Sequence, residues 1–296
     1  MEEEAKKTGK TYEMDMCSGS LFPKIITFAV PLILSGILQL LFNAADIIVV
    51  GHFAGRESLA AVGSTTALIN LLINVFVGLS VGVNVLAARY YGAQKEKDIQ
   101  DTVHTAIMMA ILSGLFLVVL GESASKPMLT LMGTPDDVLD QAALYLRIYF
   151  FGMPVLMIYN FGAALLRAVG DTRRPLYFLF AAGAVNVVLN LFFVIQLGMG
   201  VDGVAWATVI SECVSAGLII RSLMKENGAM KLHLTKLRIV SGKLTQIVRV
   251  GLPAGMQGAI FSISNVLIQS SVNSFGSIAM AGNTASSNIE GFVYTA

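Results

Sequence analysis

The chain has 296 residues, of which 55% are hydrophobic and only 13% charged, and its mean hydropathy is +0.72. That balance is too apolar for a soluble domain of this length, so the bilayer is the expected solvent and no nucleic-acid partner is expected. Twenty basic residues against 19 acidic ones leave a net charge of +1. This near-neutral total conceals an uneven distribution along the chain.

A membrane-spanning helix needs about 20 mostly apolar residues. Seven such stretches are predicted, near 25–50, 59–87, 101–121, 138–167, 175–197, 203–224 and 245–273, and an eighth starts near 278. Their length and lack of strict alternation argue for helices over barrel strands, so the fold class is all-α and polytopic. Several exceed the minimum, which implies tilt, bending or extension beyond the hydrocarbon. Residues 1–20 read as a short tail, and the first apolar stretch lacks the small-residue cleavage pattern of a removable signal peptide.

Taken in chain order, the first span carries Pro31, Gln39, Asn43 and Asp46. A carboxylate at membrane depth costs several kcal/mol if charged and unpaired, so Asp46 is expected either to face a cavity and relay ions or to sit at the interface near the outer headgroups. Gln39 and Asn43 precede it by seven and three residues, on the same helical face. Pro31 removes a backbone hydrogen bond and can bend the helix 15 residues before Asp46. Polar pairs at spacing four recur as Asn70 with Asn74, Asn186 with Asn190, and Thr208 with Glu212, and Asn160 in the fourth span is a further cavity-lining candidate. These groups suit either interhelical hydrogen bonds or a polar cavity. Glu212, near the middle of the sixth span, is the second candidate for binding the coupling cation. Arg147 is expected to snorkel to the interface, and Pro154 in the fourth span is a weaker candidate for a bend.

Other patterns exclude chemistry. Gly198 to Gly203 matches GxGxxG but joins two membrane-length helices, and no HExxH, GxSxG or P-loop pattern appears, so no enzyme activity is expected. Cys17 and Cys213 lack metal-ligand or redox spacing. No cofactor or bound metal is expected beyond H⁺ or Na⁺ as the coupling ion, with Na⁺ placed near Asp46.

Seventeen Lys and Arg lie before the first span or beside every second connection, against Arg56 and Lys126 in the alternate ones. This bias predicts a cytoplasmic N-terminus. The segment 225–244 is the one sizeable polar break and reads as a linker between two lobes, 21–224 and 245–296. Pro31, Gly36 and Asn43 recur as Pro253, Gly258 and Asn265 at an offset of 222. Six spans separate the repeat starts, so the units are parallel repeats about an axis along the membrane normal. Completing the second unit would give a parent of roughly 450 residues and about twelve helices, of which this chain reads as the N-terminal part.

The chain resembles the multidrug and toxic compound extrusion (MATE) family. The resemblance rests on VPLILSGILQLLFNAADIIVVG (Val30 to Gly51), ARYYGAQ (Ala88 to Gln94), LMGTP (Leu131 to Pro135), LRAVGDTRRP (Leu166 to Pro175) and GVDGVAWATVIS (Gly200 to Ser211). It implies two six-helix lobes forming a V, a bacterial cytoplasmic membrane, a monomer at full length, and export of small organic or cationic compounds in exchange for H⁺ or Na⁺. It also implies that Asp46 couples the ion, that the first helix bends at Pro31, and that Asn186 belongs to the same cavity. Asn190 departs from the family pattern, since some relatives carry an aspartate there, and Glu212 is the candidate for a second charge. Three other readings compete. A lipid-linked oligosaccharide flippase would need a basic cavity where this chain offers acids and amides. A membrane scaffold would need no buried carboxylates, and a single lobe by itself could not alternate access.

Overall fold

A computed structural model describes Met14, residues 20–226 and residues 228–295. The tail positions Lys6, Lys7, Lys10 and Cys17 lie outside the described residues. The described chain is helical throughout, with α1 (Leu21–Val49), α2 (Arg56–Gly92), α3 (Glu96–Leu131), α4 (Asp136–Phe151), α5 (Met153–Ala168), α6 (Arg173–Leu191), α7 (Val201–Lys225), α8 (Ser241–Asn273) and α9 (Ser277–Thr295). Among the described residues, six helices are long and apolar enough to cross a bilayer, or seven if the bent pair α4 and α5 is one span. The helix α9 lies where an eighth span was expected to begin.

The fourth span is broken. Its halves meet at a 49° bend around Gly152. Pro154, two residues later, has no N–H to continue the helical ladder, and the chain closes locally through Gly152 N–H to Tyr149 O and Val155 N–H to Gly152 O, each at 3.0 Å. By contrast α1 runs through Pro31 without a break, with Ser35 Oγ donating to Pro31 O at 2.7 Å, and then passes into a π turn at Val50–Ala54.

The most enclosed helix is α5, where Met157, Phe161, Leu165 and Leu166 are fully buried, whereas α1 exposes Ile33, Leu34, Leu41 and Ile48. In a bilayer such an apolar outer face is solvated by lipid. The connection into α6 is held by Asp171, whose Oδ1 accepts the backbone N–H groups of Arg173 and Arg174 at 3.1 Å each. Arg174 pairs with both Asp171 and Glu226 and donates to Ser222 at 2.9 Å. The LRAVGDTRRP stretch thus caps α6 and ties it to the end of α7.

Pro31 lies inside α1 and Pro253 inside α8. The helix α8 packs along α2 while α1 touches α9, so the first helix of each unit meets the second helix of the other. The α2–α8 seam is close because Gly78 faces Gly255, and a Cβ on Gly78 would overlap the Gly255 backbone. Asn74 Nδ2 donates to Ser262 Oγ across it at 2.8 Å. Asn74 therefore serves an interhelical bond.

Candidate ion-coupling site

The helices α1 and α6 approach closely where the Phe42 ring lies against Gly183, at a spot where a Cβ would overlap it. One turn beyond Phe42 on α1 is Asp46, and about two turns beyond Gly183 on α6 is Asn190. Asn190 Nδ2 donates to the Asp46 carboxylate. The same amide nitrogen lies 3.2 Å from Asn186 Oδ1, and Asn186 Nδ2 donates to Thr208 Oγ1 on α7 at 3.4 Å. Thr208 in turn donates to Val204 O at 3.0 Å. A continuous polar chain thus links α1, α6 and α7 through residues separated by as many as 144 positions.

Asn186 and Asn190 are buried, and Asp46 and Thr208 are half-buried. Asn190 Oδ1 is buried without a hydrogen-bond partner. An orphaned acceptor at this depth is costly, and it sits on the residue that bonds Asp46. Among the described residues, no basic side chain bonds Asp46. The local demand is for a cation or a proton.

Glu212 lies one turn beyond Thr208 on α7 and is half-buried. Tyr145 and Tyr149 lie on α4, which packs against α7. The two tyrosine rings stack at 6.0 Å and 27°. Neither tyrosine stood out in the sequence, although their spacing of four residues puts them on one helical face.

The other candidates lie apart. Gln39 and Asn43 are exposed on α1 and outside the bonded chain. Asn160 Nδ2 donates to Leu156 O at 2.9 Å within its own helix. Arg147 stands 4.0 Å from Glu122 with both side chains half-exposed. Among the described residues, no group of three His, Cys, Asp or Glu is placed to hold a metal ion.

Residues 31–192 match the family model described as MatE. The chain belongs to the MATE family. Among similar proteins is a probable multidrug resistance protein, YoeA of Bacillus subtilis, 31% identical over 283 residues that cover 93% of this chain and 61% of YoeA. Among solved structures, the inward-facing conformation of a multidrug resistance MATE transporter aligns with a TM-score of 0.77 at 28% identity, over 83% of this chain and 56% of that one. A structure of the MATE multidrug transporter DinF-BH shares the fold with a TM-score of 0.89 at 20% identity, over 97% of this chain and 65% of its own. This MATE chain therefore spans about three-fifths of the length of such relatives. It is a multi-pass membrane protein from a family of transporters, not of enzymes.

Proposed function

We propose that this chain forms the ion-coupling part of a secondary antiporter that exports small organic, cationic compounds in exchange for H⁺ or Na⁺. The observation that supports this most strongly is the bonded chain from Asp46 through Asn190 and Asn186 to Thr208, with Oδ1 of the same Asn190 amide left buried without a partner. A proton on Asp46 gives Asn190 Oδ1 a donor after a flip of the amide. A Na⁺ ion uses the same oxygens, since carboxylate, amide and hydroxyl oxygens are hard donors suited to such ions. Either ion removes an unpaired charge from the membrane interior and alters how α1 is held to α6 and α7. Pro31 is the point at which α1 bends in response. Glu212 and the tyrosine pair of α4 add a second anionic and aromatic surface, which favours a cationic substrate. The basic connections support a cytoplasmic N-terminus, and the whole transporter works as a monomer.

The test is efflux of a cationic dye from proteoliposomes of the whole protein, driven by an imposed proton or sodium gradient. Asp46→Asn is expected to abolish the gradient dependence while the protein still folds and inserts. Coupling that persists unchanged in the variant rejects Asp46 and moves the search to Glu212.

A further inference from the structure

The connection between α7 and α8 is pinned to one face of α3. Asp98 accepts from Lys243 Nζ at 2.6 Å, and Asp101 accepts from Arg238 Nη2 at 2.6 Å. Further along, His104 Nε2 accepts the backbone N–H of His233 at 3.2 Å, and Thr105 Oγ1 accepts that of Val240 at 3.2 Å. Spacings of three and four residues put these acceptors in one row. Lys243 Nζ also stands 3.9 Å from the Tyr90 ring centroid, and Tyr90 OH donates to Gln246 Oε1 at 2.7 Å. Since α2 and α3 belong to the first unit and α8 to the second, this strap ties the units together at the basic end of the bundle.

His104 is the link in this row that can change. It is buried, and its Nδ1 lies 2.7 Å from Gln100 O. A carbonyl only accepts, so Nδ1 carries the proton and Nε2, facing an N–H, must be the acceptor. One state satisfies both contacts, the neutral ring protonated at Nδ1. A second proton would sit on Nε2 and point at the His233 N–H. The His104 and His233 rings are also stacked, at 6.2 Å and 6°. Desolvation, helped by Lys236, Lys231 and His104, lowers the pKa of His233 below the ordinary histidine value.

We propose that residues 228–243 form a latch that holds the two units together at this end and is released when His104 is protonated. Protons reach it through an open cleft of about 470 Å³ shared by Gln100, Asp101, His104, Thr235, Lys236 and Arg238. The charged groups around it are Asp98 and Asp101 on α3, both already paired, then Lys231, Lys236 and Arg238 on the strap and Lys243 on α8. The helix α2 contributes Tyr90, and α7 contributes Leu223 O, which accepts the Leu232 N–H at 3.0 Å. The latch is independent of Asp46.

Hydrogen exchange at the His233 and Val240 amides of the whole protein in lipid nanodiscs reads the latch, after correction for the intrinsic effect of pH. Exchange is expected to be roughly tenfold faster at about pH 5.5 than at about pH 7.5. His104→Gln, whose amide oxygen accepts without titrating, should show no such step, and Thr105→Val should loosen the Val240 amide at both pH values. Spin labels on Thr235 and Lys97 of the otherwise unaltered protein should move apart on acidification. A pH step that survives in His104→Gln overturns the proposal, as does an amide rate or a label distance in the parent protein that ignores pH.

Discussion

At the scale of single residues, the carboxylate of Asp46 and the amide of Asn190 are the bonded pair on which the proposed coupling site turns. A hydrogen bond to a charged group contributes about 1.5–3 kcal/mol, so Asn190→Leu should raise the H⁺ or Na⁺ concentration that half-drives efflux by roughly 10- to 100-fold. An unshifted ion dependence in that variant would remove Asn190 from the site. Asp46, Asn186, Asn190 and Thr208 were all legible as candidates because each interrupts an apolar run, where a polar group needs a partner. Tyr145 and Tyr149 were not, because tyrosines fit an apolar helix without any interruption of the pattern. Their relation to Glu212 and Asp46 depends on how α4 sits against α1 and α7.

At the scale of elements, two positions test how the helices are held. Asp171 is buried, caps α6 and neutralises Arg174. Asp171→Ala leaves a half-buried guanidinium with one acid partner and removes the cap, so it should lower stability by roughly 2–4 kcal/mol. A thermal melt of the detergent-solubilised protein reads this as a marked fall in midpoint. In the α2–α8 seam, Gly78→Ala forces the Gly255 backbone away and should cost about 1–3 kcal/mol. Gly36→Ala on α1, where no atom lies within 4 Å of the added methyl, should be neutral or mildly stabilising. Equal melts for the two variants would refute the close seam. The sequence marked both glycines as residues of apolar spans, but a helix pattern does not name the helix that a glycine faces. The break in the fourth span shows a similar limit. Pro31 and Pro154 are both prolines inside spans, yet only the second, beside Gly152, lies at a broken helix in this structure.

At the scale of the whole molecule, the two proposed units are joined by the glycine seam, by Asn74 with Ser262, and by the strap between α7 and α8 that docks on α3. If Lys243 and Asp98 hold the units together, a double-mutant cycle with Lys243→Met and Asp98→Asn should return a favourable coupling that shrinks with added salt. Additive effects would assign them to the surface of separate units. The linker was visible beforehand as a basic, polar break, but its docking was not, because its partners Asp98, Asp101, His104 and Thr105 sit more than a hundred residues earlier.

The solvent, the all-helical class and the positions of the spans were legible in the sequence alone, as were the proposed duplication and the candidate acids Asp46 and Glu212. Each is a property of composition, local periodicity or self-similarity, and needs no knowledge of neighbours. Tertiary structure decided which amide reaches Asp46, where the fourth span breaks and what the strap grips. Those outcomes depend on helices meeting across the bundle, as Asn190 meets Asp46 from 144 residues away, and such contacts are fixed by packing rather than by any local pattern.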